Sequence, residues 1–166
     1  MQNHSKVIGI LSSFFYRLAS CYEDKVLGHS TYKGTFGSLK GKTFPQFIDH
    51  ILRDSTTRQS EHWRPQFMNC HYCEIKYDMI GRVETFYKDL NYIASISNFS
   101  TASRSHLMVS AKNSPNTSTT EEKTIKYFST LNSTQLYKLY NLYRMDFEIF
   151  GYHVYPFVLD SNHNNI

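Results

Sequence analysis

The segment from Lys6 to Leu27 constrains the fold most, because a short apolar run changes there into a helical repeat without a loop between them. Lys6 to Leu11 predicts a strand. From about Ser13 to Leu27, the spacing predicts a helix with one apolar and one polar face. The apolar face comprises Leu11, Phe15, Leu18, Tyr22 and Val26, and the polar face comprises Ser13, Arg17, Ser20 and Asp24. We predict that Gly28 ends this helix, and a strand that leads directly into a helix is typical of an α/β fold.

The middle of the chain predicts two more helices and one more strand. A short helix is expected to begin near Thr43, with Pro45 in its first turn. A further helix is expected from Val83 onward, where apolar residues recur at helical spacing to Ala94. Between these helices, the alternation of polar and apolar residues from Glu74 to Ile80 predicts a strand.

The C-terminal third predicts a loop followed by helices. The segment from Ser95 to Thr120 is rich in Ser, Thr and Asn and predicts a mobile surface loop. Thr119 and Glu122 form a capping-box pattern that opens a helix, and after a break at Asn132 a longer helix is expected to run to Gly151. Four N-glycosylation sequons occur in the chain, and we expect a glycan at one of the two in the loop. The sequons are at Asn3, Asn98, Asn116 and Asn132.

Length and charge favour a single folded domain with anionic partners. At 166 residues, the chain can bury a core as one unit, and its formal net charge is +4. No run of five or more Lys or Arg occurs, so nucleic-acid binding is not expected. The apolar stretch from Val7 to Leu11 is too short to span a bilayer or to act as a signal peptide.

Two motif blocks carry the most specific information. The first block runs from Glu61 to Asp89 and reads EHWRPQFMNCHYCEIKYDMIGRVETFYKD, with a His-Trp-x-Pro motif, a Cys-x-x-Cys motif and a Tyr-Asp-x-Ile-Gly-Arg-x-Glu motif in that order. The second block runs from Leu136 to Tyr152 and reads LYKLYNLYRMDFEIFGY. In these blocks and its first helix, the chain resembles the C-terminal part of the carbohydrate sulfotransferases, in particular the group of chondroitin and dermatan 4-O-sulfotransferases and HNK-1 sulfotransferases.

The resemblance implies a fold, a reaction and a compartment. The implied fold is α/β, with an incomplete, P-loop-related parallel sheet of the sulfotransferase type and flanking helices over residues 1–152, followed by a polar tail over residues 153–166. The implied reaction moves a sulfuryl group, without a metal, from 3′-phosphoadenosine 5′-phosphosulfate to a sugar hydroxyl of a glycosaminoglycan or glycoprotein glycan, such as chondroitin, dermatan or an HNK-1-type chain. Family members are type II membrane proteins of the Golgi lumen, held by an anchor that is expected to be absent from this chain.

The resemblance also assigns residues to the 3′-phosphate of the donor. The family pattern is a strand that ends in Arg, followed by Asp/His-Pro-Phe-x-Arg-Leu-x-Ser-x-Tyr on a helix. Ser20 matches the serine of this pattern and is expected to hydrogen-bond the 3′-phosphate, and Arg17 matches its arginine. Ser12 falls where the family has its phosphate-binding Arg, and Phe14 falls where the family has Pro. A serine at position 12 supplies a hydrogen bond but no charge.

The family's 5′-phosphosulfate loop, a basic turn that contains Thr or Ser, has no counterpart in this sequence. We therefore expect the chain to be a fragment with little activity alone, and the alternative is a degenerate relative that no longer transfers sulfate. Two other classes stay open, namely a catalytically silent glycan-binding relative and a zinc-binding interaction module.

His62 is the histidine assigned to catalysis, because an imidazole titrates near neutral pH and can accept a proton from a hydroxyl group. The alternative is a histidine that packs beside Trp63 and hydrogen-bonds the backbone. Arg64 is expected to meet the anionic glycan or the donor.

Cys70 and Cys73 allow three interpretations. With His62 and His71 they would ligate zinc, and in a reducing compartment they would form a redox pair, but a second Cys-x-x-Cys and a preceding βαβ pattern are both missing. For a luminal enzyme the expected state is a local Cys70–Cys73 disulfide, which leaves Cys21 unpaired on the first helix.

Overall fold

A computed structural model describes residues 6–28, 36–54, 59–96 and 121–153. The chain divides into two compact units, of which the first comprises Met1–Ser13 and Cys70–Thr117, and the second comprises Phe14–Asn69 and Ser118–Ile166. The described residues form two short strands and six α-helices. The predicted α/β class and the predicted excess of helix over strand are both confirmed.

The first unit contains a parallel pair of strands. Strand β1 (Ile8–Leu11) pairs with strand β2 (Met79–Arg82), with Ile8 opposite Met79 and Leu11 opposite Arg82. The parallel pairing confirms the predicted parallel arrangement. The predicted position of the second strand was wrong by several residues, because the backbone N–H groups of Glu74 and Ile75 both donate to the carbonyl of His71 and close a turn there.

Tyr77, from the first motif block, packs against β1 where that strand has no side chain. A Cβ atom on Gly9 would lie 3.0 Å from the ring carbon Cε1 of Tyr77, so a side chain at position 9 would require the Tyr77 ring to shift by a few tenths of an ångström. The Tyr77 hydroxyl donates a hydrogen bond to the carbonyl of Cys70 at 2.7 Å. Tyr77 therefore joins β1 to the turn that contains the two motif cysteines.

Two acidic residues of the same block fix the ends of β1. The backbone N–H of Val7 donates to Asp78 Oδ2 at 2.9 Å, and the N–H of Ser13 donates to Glu84 Oε1 at 2.6 Å. Both carboxylates thus satisfy backbone donors that lie just outside the strand pair. Their contacts are those of structural residues.

Helix α4 (Phe86–Ile96) completes the described part of the first unit, and a 3₁₀ turn (Val83–Thr85) precedes it. Asp89 Oδ2 accepts hydrogen bonds from Thr85 Oγ1 at 2.6 Å and from the N–H of Arg82 at 2.8 Å. These bonds, first of all the one from Thr85, hold the pKa of Asp89 below its usual range. The prediction that Val83 belongs to the helix was wrong, because Val83 lies in the 3₁₀ turn and is half exposed.

The second unit begins with helix α1 (Phe14–Cys21), which continues as one π-helical turn (Tyr22–Val26). The predicted helix is therefore present, but it changes its hydrogen bonding after Cys21, since the N–H of Leu27 donates to the carbonyl of Tyr22. The wider π turn keeps Tyr22 and Val26, four residues apart, on the buried side. Gly28 has φ +92° and follows the helix end, as predicted.

The other helices of the second unit are α2 (Phe44–Arg53), α3 (Gln66–Asn69), α5 (Glu121–Phe128) and α6 (Ser133–Phe150). Thr43 caps α2 in a capping box with Gln46, and Asn132 caps α6 in a capping box with Gln135. Gly151 ends α6 with φ +62°. None of the helices in the described ranges combines the length and the apolar composition needed to cross a membrane.

Aromatic rings fill the core of the second unit. Phe14 stacks on Tyr143 with ring centroids 4.7 Å apart, and Phe15 meets Phe128 edge to face at 4.9 Å. This packing joins α1 to both α5 and α6, so the position of the polar residues on α1 is set by a rigid apolar contact.

Several predictions lie outside the described residues. They are the loop beyond Ile96, the sequons at Asn3, Asn98 and Asn116, the capping residue Thr119, and the tail beyond His153. Ser95, predicted to open the loop, instead belongs to α4.

Candidate functional site

Arg17 lies on α1 but turns toward the interior of the second unit. Its side chain is 16% exposed, and its Nη2 atom is 3.9 Å from Asp146 Oδ2. Its guanidinium carbon lies 5.9 Å from the centre of the Tyr143 ring, within cation–π range. Within the described residues, Nε and Nη2 of Arg17 are shielded from solvent and have no hydrogen-bond partner. Arg17 therefore lies near an acidic residue, but two of its nitrogen atoms make no hydrogen bond to the described residues.

Asp146 is the acid of this cluster, and it lies on α6 with 1% of its side chain exposed. Its Oδ2 atom accepts the backbone N–H of Gln66 at 2.8 Å, and its Oδ1 atom accepts that of Phe67 at 2.9 Å. The carboxylate therefore holds the first turn of α3, which directly follows the His-Trp-x-Pro motif. Burial raises the pKa of Asp146, whereas the two backbone hydrogen bonds and the charge of Arg17 oppose that rise.

Tyr143 lies one turn before Asp146 on α6 and holds the same segment. Its hydroxyl donates a hydrogen bond to the carbonyl of Trp63. The side chain is fully buried, which raises the pKa of its hydroxyl, so Tyr143 remains a neutral donor. One face of α6 therefore binds the backbone between Trp63 and Phe67 at both ends.

His62 directly precedes this segment. Its ring meets the ring of Phe36 edge to face, with centroids 5.7 Å apart, and its backbone N–H points to Ser60 Oγ at 3.4 Å. The imidazole is partly exposed and makes no hydrogen bond within the described residues. The role assigned to His62 stays a prediction. Its neighbour Arg64 donates to Asn69 Oδ1 at 2.7 Å, so Arg64 is engaged within the second unit.

Ser20 and Ser12 belong to different units and are described separately. Ser20 lies one turn after Arg17 on α1, is partly exposed, and makes no side-chain hydrogen bond to any described residue. Its hydroxyl is available to a ligand. Ser12 follows β1, and its hydroxyl donates to the carbonyl of Ser13 at 3.3 Å. The phosphate-binding roles of Ser20, Arg17 and Ser12 stay predictions.

The predicted Cys70–Cys73 disulfide is absent, because no bond joins these two described cysteines. The turn that carries them is closed by backbone hydrogen bonds to His71 and by the hydrogen bond from Tyr77. No group of three or more His, Cys, Asp or Glu side chains in the described part of the chain is placed to hold a metal ion.

The cysteines should differ sharply in reactivity. Burial raises the pKa of the Cys21 thiol to about 12, whereas Cys73 is exposed. We expect an alkylating reagent at pH 8 to label Cys73 rapidly and Cys21 only after denaturation, as measured by peptide mass spectrometry. Labelling of Cys21 in the folded chain, or protection of Cys73 that is lost on reduction, would contradict these assignments.

Sequence reasoning missed Asp146 and Tyr143 as partners of the predicted site. Both residues lie in the second motif block, whose aromatic stripe predicts a core helix. A signal was present, because Asp146 interrupts that stripe between Tyr143 and Phe147, and an acid on a buried helix face requires a partner.

Residues 15–153 match the sequence profile of the sulfotransferase family, and the chain therefore belongs to that family. The matched range includes Arg17, Ser20 and His62 and leaves out Ser12. The mixed α/β structure, with its small parallel sheet, is consistent with a sulfotransferase domain. No solved structure matches the chain.

The similar curated proteins are enzymes named carbohydrate sulfotransferases. Carbohydrate sulfotransferase 11 of Mus musculus is 31% identical over 114 residues, which cover 67% of this chain and 31% of that protein. Carbohydrate sulfotransferase 12 of Xenopus laevis is 34% identical over 120 residues, which cover 70% of this chain and 27% of that protein. The chain thus spans about a third or less of the length of these relatives. The family to which it belongs is a family of sulfotransferase enzymes.

Proposed function

We propose that the protein containing this chain transfers a sulfuryl group from 3′-phosphoadenosine 5′-phosphosulfate to a sugar hydroxyl. The acceptor is a glycosaminoglycan or glycoprotein glycan, with chondroitin, dermatan and HNK-1-type chains as the first to test. The family membership and the names of the relatives support this assignment. The proposed setting is the Golgi lumen, and the proposed fold is the P-loop-related sulfotransferase fold.

The observation that carries the proposal is the polar face of α1. Arg17 and Ser20 lie one helical turn apart, and both have hydrogen-bonding capacity that the described residues do not use. A guanidinium and a hydroxyl are suitable donors to phosphate oxygens. In this proposal Ser20 and Arg17 bind the 3′-phosphate of the nucleotide.

The proposed chemistry is an in-line transfer. The bond between sulfur and the donor's phosphate oxygen breaks as a bond forms between sulfur and the acceptor oxygen, and the nucleotide 3′,5′-bisphosphate leaves with the bonding electron pair. The acceptor hydroxyl loses its proton, and His62 is the proposed base, since a neutral imidazole nitrogen can accept a proton from a hydroxyl group. Neutralisation of the phosphates by cationic groups favours such transfers.

The donor site is tested with adenosine 3′,5′-bisphosphate, the desulfated form of the donor, by titration calorimetry on the chain. Ser20→Ala should weaken binding about tenfold, which corresponds to the loss of one hydrogen bond to a charged group. The matched control is Ser38→Ala, an exposed serine on the 3₁₀ turn Gly37–Leu39, which should leave the affinity unchanged. Equal affinity of the Ser20→Ala variant and the unaltered chain would remove Ser20 from the site. Binding of chondroitin with no binding of the nucleotide would favour a silent glycan-binding relative.

A further inference from the structure

We propose that Asp146 is a positioning residue for donor binding, which holds Arg17 and the segment after His62 in one fixed arrangement. The inference rests on the proposed function and extends it to a residue outside the α1 motif. It is carried by the contacts of one buried carboxylate with two separate parts of the second unit.

The Asp146 carboxylate contacts both the start of α3 and the guanidinium of Arg17. Both of its oxygens accept backbone N–H groups at the start of α3, and Oδ2 also faces the guanidinium of Arg17. Since those N–H groups belong to Gln66 and Phe67, the carboxylate cannot turn toward Arg17 without releasing them. Its position is therefore fixed by α3, and Arg17 is held in the field of a fixed charge.

Asp146 and Arg17 lie close together but do not form a hydrogen bond. Their separation of 3.9 Å exceeds the length of a hydrogen bond, and Nε and Nη2 of Arg17 lack partners in the described part of the chain. Asp146 thus places the guanidinium without consuming its donors. Both atoms are shielded from solvent, so a phosphate that displaces the groups covering them would supply the acceptors that Arg17 lacks, whereas a tight pair with Asp146 would compete with it.

The charges of Asp146 and Arg17 also balance each other. An unpaired carboxylate at the burial of Asp146 is costly, and Arg17 is the cation that the contacts place beside it. Two other titratable groups of the described residues lie near the pair: Tyr143, which is neutral and directs its hydroxyl to Trp63, and the Cys21 thiol, which is neutral because burial raises its pKa to about 12. Removal of the charge of one residue should therefore change the electrostatic environment of the other.

The test is a double-mutant cycle in nucleotide affinity with Asp146→Asn, Arg17→Gln and the combined variant. Asparagine preserves the shape of the side chain and one oxygen acceptor, and it removes the charge. We expect Asp146→Asn to weaken binding of adenosine 3′,5′-bisphosphate about tenfold when Arg17 is present. When Arg17 is already glutamine, the same change should have no further effect. Equal losses in both backgrounds would reduce Asp146 to a structural residue and overturn the proposal.

Glu148→Gln is the matched control, because it removes one acidic charge from the same helix at an exposed position, where Glu148 pairs with Arg144 at 3.2 Å. It should leave nucleotide affinity unchanged. An equal loss of affinity in this variant would attribute the effect to net charge and would overturn the proposal. If the unaltered chain does not bind the nucleotide, the proposed donor site fails, and positioning of Arg17 is then judged by the next measurement alone.

Two nuclear magnetic resonance measurements do not require the nucleotide. They keep the coupling of Asp146 and Arg17 testable if Asp146→Asn folds poorly. In the unaltered chain, the Nε–H signal of Arg17 should be resolved and slow to exchange, and Asp146→Asn should abolish it while Glu148→Gln should not. Conversely, Arg17→Gln should raise the pH at which the Asp146 carboxyl carbon titrates, since the neighbouring cation is lost. An Asp146 titration that does not move in Arg17→Gln would show that the two groups are uncoupled and would overturn the proposal.

Discussion

Phe14→Pro should lower the free energy of unfolding by about 3–5 kcal/mol, the range for deleting a buried aromatic side chain. The resemblance to the family pattern implies proline at this position, and Phe14 is the first residue of α1, where proline fits the backbone. The expected loss comes from the ring, which stacks on Tyr143 and meets Phe147 edge to face at 5.0 Å. Denaturant unfolding followed by circular dichroism measures the change.

Two companion variants separate the ring from the backbone. Phe14→Ala should lose about as much stability as Phe14→Pro, and Phe14→Leu should lose clearly less because it keeps apolar volume. A proline variant much less stable than the alanine variant would place the cost in the backbone instead. A proline variant as stable as the unaltered chain would mean that Phe14 does not support the core.

Trp63→Ala should also destabilise the second unit by about 3–5 kcal/mol, because it empties a large buried site. The Trp63 ring lies edge-on to Phe36, Phe47 and His50, with centroid distances of 5.5 to 5.9 Å. The side chain is 3% exposed, and its Nε1 atom has no hydrogen-bond partner among the described residues. Calorimetric melting of the chain measures the loss.

Trp63→Phe is the informative control for that change. Phenylalanine keeps an aromatic ring in the site and removes the unsatisfied N–H, so part of the lost packing should be offset. We expect this variant to lose much less stability than Trp63→Ala. A loss equal to that of alanine would indicate that the indole N–H has a partner, contrary to the observed environment.

The sequence predicted local structure well where a repeat was long. The apolar face of the first helix is buried as expected, and Thr43 and Gly151 lie at the predicted helix limits. The π turn after Cys21 was not predictable, because a spacing of four residues fits both kinds of helix. The second strand was misplaced because alternation over Glu74 to Ile80 also occurs in a closed turn.

The candidate site was only partly predictable, for a different reason. Arg17 was expected on a polar face, and periodicity alone gives no information about an acid that arrives from far along the chain. Asp146 meets Gln66 across 80 positions, and no local pattern links them. The motif blocks identified the segments that meet, whereas the contacts that join them required the structure.

The hydrogen bonds of α6 join segments of the chain that are synthesised at different times. Gln135, Tyr143 and Asp146 bond to groups that lie 80 to 90 positions earlier in the chain. At a synthesis rate of ~5–20 residues per second, the backbone of the Trp63 to Phe67 segment leaves the ribosome about 4 to 16 seconds before its partners do. During that interval its donors and acceptors are satisfied only by water, and Phe14 and Phe15 of α1 lack the rings of α5 and α6 that cover them in the folded chain. The nascent chain therefore passes through a stage of exposed aromatic surface, which is where molecular chaperones would bind it.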